Sequence, residues 1–442
     1  MSTDLERIQA GVTARTRRRA LVAGCIGNFV EWYDFALYGA FAAVIARTFF
    51  PLRDAAGGLL ATYMIFVVAF LARPAGALLF GHIGDRVGRR QALAGGILLM
   101  ALVTAATGAL PSYGAIGWAA PALLTLLRVG QGVALGGEYG GSAAFVVEYA
   151  PMDRRGLYGG WQWATVALGF GAGIGAAALL HQVLSARDLY DWGWRVPFLL
   201  ALPLGLIGLY IRTRLEDTPD FRATQHADVV ARAPLVEVLR TQRRQVVVGF
   251  GLVAAVTVTF NFLFVFLPNH VVASSGGQSP LVFAAALAGL GLAGAAAPLF
   301  GALSDRIGRR PVILWCEIAL VALIVPASSV IEGGGTLGTM LAYMALGLVL
   351  GALALTAFLA ELFVTRIRYS GLSLTYGVAS AVFGGTAPLV ATVLVSRSGS
   401  VLAPAWYATA MSLAAIMCVH AAAETAKRPL ATDGQRVEDA AT

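Results

Sequence analysis

The residues with chemistry to offer lie inside long apolar stretches. Glu31 and Asp34 fall in the first of these, with Asn28 and Tyr38 at spacings of three and four, so on a helix all four share one stripe. Arg128, Gln131, Glu138 and Ser142 form a similar stripe in the fourth stretch. An ionised side chain at the middle of a membrane helix costs about 2.5–3.5 kcal/mol, so Glu31, Asp34, Arg128 and Glu138 together would cost about 10 kcal/mol against lipid. They must face protein or water, and two polar stripes can meet across a central cavity. Asp34 and Arg128 fall at similar depth. A carboxylate that alternates between pairing with Arg and holding a proton is a workable proton-coupling device, and Glu31 and Glu138 are further candidates for it. The same residues equally fit permanent ion pairs that pin the two helices together.

Arg73, in Arg73-Pro74, either lines the same cavity or satisfies carbonyls freed by the proline. The second half of the chain holds no Lys or Arg in the middle of its stretches and offers Thr259, Phe260, Asn261 and Tyr376. Trp161, Gln162 and Trp163 provide either an aromatic face for a cation or an anchor at a membrane interface. The candidate substrate-binding residues are Asn28, Tyr38, Gln131, Trp161, Gln162, Asn261 and Tyr376. A tricarboxylate would need several cationic partners, whereas a compact zwitterion can use one acid, one arginine and an aromatic face. No nucleophile with its base and no phosphate-binding loop is visible, and the five histidines are scattered. No enzyme activity, metal or cofactor is therefore expected. Cys25, Cys316 and Cys418 lack paired spacing and read as small core residues.

The elements that carry these residues follow from composition. With 58% hydrophobic and only 13% charged residues, the chain lacks the roughly 25–35% charge of a water-soluble surface. Helix-length apolar runs cover 20–47, 58–83, 91–110, 118–149, 158–184, 194–212, 244–272, 280–303, 311–331, 335–364, 369–396 and 402–424. The net charge of +8 is nearly all Arg, set in short clusters between the runs, which is a topology signal and not a nucleic-acid footprint. Alternate connections are rich (Arg86, Arg89, Arg90, Arg154, Arg155, Arg212, Arg240, Arg306, Arg310, Arg366) and poor (Arg47, Arg53, Arg187, Arg397) in arginine. Keeping the rich set in the cytoplasm places both termini there. Residues 1–19 are then a retained cytoplasmic tail, 20–212 and 244–424 two bundles, 213–243 a cytoplasmic linker and 425–442 a short tail without heptads. The expected fold is an all-α membrane protein of twelve transmembrane helices in two pseudo-symmetric six-helix bundles. It is expected as a monomer in the cell (inner) membrane, in contact with lipid, with a small molecule and protons as its partners.

An internal repeat supports two related halves: Gly81 to Arg90 (GHIGDRVGRR) recurs 220 residues later as Gly301 to Arg310 (GALSDRIGRR). A fainter echo pairs Glu148 and Arg155 with Glu361 and Arg368, each seven apart. The repeated loop resembles the signature of the major facilitator superfamily. Gly27 to Phe35, Gly130 to Tyr139 and Trp192 to Phe198 are similar to its metabolite:proton symporter branch, and Arg214 to Pro219 and Arg366 to Ser370 to the proline/betaine carriers within it. The resemblance spans about Leu21 to Glu424. It implies proton-coupled uptake of a small zwitterionic osmolyte such as proline or glycine betaine by alternating access. An organic acid of the shikimate, 2-oxoglutarate or citrate type is the alternative substrate, and a transport-incompetent sensor the alternative class. It also implies a conformational gate of Gly81, Asp85, Arg86, Gly88, Arg89, Arg90, Glu148 and Arg155, matched by Asp305, Arg306, Arg309, Arg310, Glu361 and Arg368. In physical terms Asp85 can face a helix N-terminus and the arginines can meet Glu148.

Overall fold

The computed structural model describes residues 12–50, 55–226, 231–274, 280–353 and 355–430, and among these it is helical with no strand. The first half contains α1 (Ala14–Ala40), α2 (Ala55–Arg86), α3 (Arg89–Ala109), α4 (Ala119–Tyr149), α5 (Arg155–Val183) and α6 (Arg195–Thr213). The second contains α7 (Arg243–Asn261), α8 (Pro280–Ile307), α9 (Arg309–Glu332), α10 (Thr336–Gly351), α11 (Arg368–Ala379) and α12 (Leu402–Ala421). Eleven described helices are long and apolar enough to cross a membrane, and twelve if α1 and its continuation Ala42–Phe49, bent by 68°, form one span. The bent first span carries Glu31 and Asp34 besides the basic residues at its start, which lowers its hydropathy below that of its neighbours.

Four of the expected spans, the first, seventh, tenth and eleventh, are interrupted. The first breaks at Phe41, and the tenth runs Thr336–Gly351 and then Leu355–Glu361. The eleventh passes from α11 through a π-helical turn, Ser380–Gly384, closed by Gly385 N–H donating to the Ser380 carbonyl at 2.8 Å, before it resumes at Ala387. A second π-helical turn, Phe262–Phe266, follows α7. Such single turns widen a helix locally and cluster at functional sites. Between the halves lie two short helices, Pro219–His226 and Pro234–Thr241, where proline at the first turn forfeits only a donor that would be unpaired anyway.

Each half packs in the same way. In the first, α2 lies on α4, α1 on α5 and α3 on α6; in the second, α8 lies on α10, α7 on α11 and α9 on α12. The halves then meet through α5 against α8 and α2 against α11, two contacts related by the pseudo-two-fold. Small residues permit the approach: a methyl group on Gly301 would overlap the Gly156 backbone, and one on Gly160 the Ala297 carbonyl. Leu71, Leu126, Leu299 and Trp315 remain more than 60% exposed, an outer apolar surface suited to lipid.

Candidate functional site

The polar stripes of α1 and α4 meet and are buried. Asp34 accepts hydrogen bonds from Gln131 Nε2 at 2.9 Å and Arg128 Nη1 at 3.4 Å. Gln131 also donates to Thr104 Oγ1 at 3.0 Å. The Arg128 guanidinium lies 3.6 Å from the centre of the Tyr38 ring, whose hydroxyl donates to the Thr62 carbonyl at 3.0 Å. Asp34 and Arg128 are 1% and 2% exposed, so each charge depends on the other for compensation.

Glu31 faces a different cation, Arg73, at 3.7 Å. Arg73 Nη1 in turn donates to Ser380 Oγ at 3.2 Å, which joins α2 to the π-helical turn of the other half. Arg73 thus lines the buried cluster and is not merely a partner for carbonyls freed by Pro74. Glu138 pairs with Arg212, whose Nη1 lies 3.2 Å from Oε2 and whose Nε and Nη1 also donate to the Ala23 and Leu93 carbonyls. Read as a loop charge, Arg212 instead lies in α6, 1% exposed. Glu138 therefore joins α4 to α6 inside one half and does not reach the Asp34 group.

Of the candidate binding residues, several meet where the halves touch. Tyr139 and Tyr376 stack across the interface with ring centres 3.7 Å apart. Thr356 Oγ1 donates to Gln162 Oε1 at 2.7 Å, and Gln162 Nε2 donates to Ser142 at 3.1 Å. Asn28 Nδ2 donates to the Gln162 carbonyl at 3.1 Å and to Thr165 at 2.8 Å. Asn261 donates to the Thr257 carbonyl at 2.8 Å, and its Oδ1 has no hydrogen-bond partner among the described residues. Phe260 lies edge-on to Trp32 at 5.3 Å. Trp161 does not join them: at 46% exposure it points out of the bundle, while buried Trp163, two residues on, donates to the Leu350 carbonyl at 3.2 Å. Helical geometry turns neighbours apart, and Trp163 holds the inward face.

The repeated loops build a second site at the arginine-rich end. Asp85 accepts from the Tyr369 and Ser370 N–H groups, at 3.2 and 2.7 Å, at the start of α11. Asp305 does the same for Gly156 and Leu157, at 2.8 and 2.9 Å, at the start of α5. Each aspartate thereby caps a helix of the opposite half, where its charge meets the positive helix end. Arg89 bonds both Asp85 and Glu148 and donates to the Thr365 carbonyl across the interface at 2.6 Å. Arg309 likewise joins Asp305 at 2.7 Å and Glu361 at 3.2 Å. Gly88 and Gly308, with φ of +150° and +110°, turn the chain between helices at these points. Arg368 crosses to Glu148 at 2.7 Å. Arg155, the counterpart of Arg368 in the repeat, makes no matching ion pair with Glu361 among the described residues and donates to the Arg428 carbonyl at 2.8 Å instead, so the two halves use the repeated acid and arginine differently. Gly81 lies against Ser370 across the interface. Arg90 and Arg310 turn to carbonyls at the ends of α6 and α12, while Arg86 and Arg306 are exposed and stay outside the network.

Sequence reasoning missed the residues that complete these loops. Asp217 accepts from the Arg89 and Arg90 N–H groups at 3.0 and 3.4 Å, and Glu424 from those of Arg309 and Arg310 at 2.9 and 3.0 Å. The threonine after each acid, Thr218 or Thr425, donates to Glu148 or Glu361. An acid followed by threonine after both the sixth and twelfth spans was a legible signal. Asp220 lies buried nearby, pushed up to about 6 by desolvation and by Glu148. Glu317 of α9 was also missed; it is fully buried, faces Ser412 of α12 and has no cationic partner among the described residues.

Comparison with known proteins gives a consistent answer. The family model "Sugar (and other) transporter" matches residues 20–240 and again 223–433. The proline/betaine transporter of Salmonella typhimurium is 36% identical over 434 residues, covering 93% of this chain and 85% of that protein. The ectoine/proline transporter of Corynebacterium glutamicum is 35% identical over 430 residues, with 93% and 85% covered. Among solved structures, the proton:xylose symporter XylE bound to 6-bromo-6-deoxy-D-glucose shares the fold, with a TM-score of 0.78 at 14% identity over 95% of this chain and 98% of that one. With two related six-helix halves, the repeated loop in each, and a family model that matches once per half, this chain belongs to the sugar (and other) transporter family of the major facilitator superfamily.

Proposed function

We propose that this chain takes up a small zwitterionic solute of the proline or betaine class together with protons, by alternating access, as a monomer with its arginine-rich end in the cytoplasm. The observation that carries the coupling is the buried Asp34–Arg128 pair at 3.4 Å. Desolvated and satisfied by Gln131, it can exist either as an ion pair or as a protonated acid beside a cation held over Tyr38. The substrate class is supported by the names of the relatives and by a buried interface that offers acid, arginine and aromatic rings together. The capping contacts of Asp85 and Asp305 hold the arginine-rich ends together in this structure. Release of a solute on that side therefore requires them to break.

The arginine excess at one end supports the orientation. Uptake into proteoliposomes tests the reading: labelled proline and glycine betaine are expected to accumulate when the outside is acidic and to equilibrate only when the pH gradient is collapsed. Accumulation of shikimate, 2-oxoglutarate or citrate without either zwitterion would overturn the substrate class. Accumulation indifferent to the gradient would overturn the coupling.

A further inference from the structure

Two carboxylates three residues apart on α1 are held in contrasting ways. Asp34 has hydrogen bonds from Gln131 and Arg128, all within the first half. Glu31 has Arg73 at 3.7 Å, too long for a hydrogen bond, and neither of its oxygens has a hydrogen-bond partner among the described residues. Arg73 Nε is equally unpartnered, and its bond to Ser380 crosses to the other half. Both residues are buried, with side-chain exposures of 1% for Glu31 and 3% for Arg73. A buried ion pair offsets its desolvation only when its remaining lone pairs and protons are satisfied, and here they are not. An aromatic ring lies against the pair. Phe70 lies 4.6 Å from the Arg73 guanidinium, the stacked Tyr139 and Tyr376 are within electrostatic range of Glu31, and Trp32 is the next residue on α1.

We infer that Glu31 and Arg73 are the receptor for the two opposite charges of the transported zwitterion: Arg73 turns from Glu31 to the solute carboxylate, and Glu31 receives the cationic nitrogen. The inference rests on the proposed substrate class and supplies its physical basis. The pair is neutral as a unit, and a zwitterion adds no net charge, so one under-satisfied ion pair becomes two ion pairs without leaving a buried charge uncompensated. A monoanion in the same place would leave Glu31 unpaired, and a simple cation would leave Arg73 unpaired; each is the costly case. Phe70, and Tyr139 and Tyr376 once their stack parts, offer π faces to a quaternary or secondary ammonium. The tyrosine stack and the Arg73–Ser380 bond both span the halves, so an occupied receptor contacts both.

The test compares the parent with Glu31→Gln, Glu31→Asp and the doubly neutral Glu31→Gln/Arg73→Gln, in proteoliposomes under the same pH gradient. KM for proline and betaine is read together with inhibition by cyclopentanecarboxylate, which is proline's ring and carboxylate without its nitrogen. For Glu31→Gln the expected result is a KM raised by about tenfold or more, equivalent to about 1.4 kcal/mol, together with new inhibition by cyclopentanecarboxylate. Glu31→Asp is expected to restore zwitterion selectivity. The double variant, with no buried charge left unpaired, is expected to keep the parental Tm and lose zwitterion transport. A parental KM in Glu31→Gln without new inhibition, or in the double variant, overturns the receptor and leaves the proposed function standing. A parent that accumulates neither zwitterion overturns both.

Discussion

Asp85→Asn perturbs the arginine-rich end in a way whose size follows from the contacts. The carboxylate accepts two N–H groups from the start of α11, at 3.2 and 2.7 Å, and both bonds cross between the halves. A hydrogen bond to a charged acceptor contributes about 1.5–3 kcal/mol. Asparagine retains one acceptor oxygen and loses the charge that favours the helix N-terminus, so we expect the closed arrangement to lose about 1.5–3 kcal/mol relative to one in which the ends have parted. That is about a tenfold to hundredfold shift in the ratio of closed to open molecules. Ser373 is buried between the halves against Gly140, so Ser373→Cys, on a background with Cys25, Cys316 and Cys418 replaced, reports opening through its rate of alkylation. Asp85→Asn should raise that rate by the same factor. Asp305→Asn should act similarly through α5, and the two effects should multiply because the caps lie on separate helix pairs and share no partner. Unchanged alkylation in both single variants would show that the crossing caps do not hold the closed state.

Asp34→Asn should abolish pH-driven accumulation while counterflow exchange partly survives; if Asp34 is only a static partner, Arg128 is left buried and unpaired, at about 3–5 kcal/mol, and both activities fall with folded yield. Gly88→Ala should destabilise the α2–α3 turn by about 1–3 kcal/mol, because φ is +150° and the added methyl meets the Asp217 carboxylate; a lowered Tm reads this out. Asp220 should make closure depend on the pH at the arginine-rich side. Its value, raised to about 6, means that the closed state binds more protons than an open state with an ordinary value near about 4. Closure is therefore favoured as pH falls from about 6 towards about 4, and the dependence is flat above. Alkylation of Ser373→Cys measured across that range should lose this slope in Asp220→Asn.

Helix number, the two halves and the meeting of Asp34 with Arg128 were legible because lipid leaves a buried charge few alternatives, and because helical spacing alone puts Asn28, Glu31, Asp34 and Tyr38 on one face. The partners of Glu31 and Glu138 were not. Arg73 and Arg212 were visible as residues, but which arginine reaches which acid depends on how four helices pack, and Arg212 sits at the boundary where an apolar run shades into a basic loop. The threonine and acid pairs after α6 and α12 escaped for another reason: they lie at or just beyond the ends of the apolar runs, and their roles appear only once the N-termini of α3 and α9 are seen to need caps. Of the two readings open for Trp161, an aromatic face or an interface anchor, its outward position favours the anchor, because residues two apart on a helix face nearly opposite ways and Trp163 takes the inward one.

The surfaces on which the two halves meet have a mechanical consequence. Where α2 and α4 lie on α11 and α5 on α8, many contacts are glycine against backbone, side chain or ring: Gly84 of α2 and Gly141 of α4 on Tyr369, Gly140 of α4 on Ser373, Gly156 on Gly301. Such faces have few side-chain ridges seated in grooves apart from the Tyr369 ring, so one half can roll over the other as a shaft turns in a plain bearing, with little to unseat along these stretches. Resistance is then concentrated in a few discrete contacts, the polar clasps at the arginine-rich end and the Arg73–Ser380, Thr356–Gln162 and Tyr139–Tyr376 contacts farther in, and these can be strengthened or weakened one side chain at a time without roughening the surface that moves.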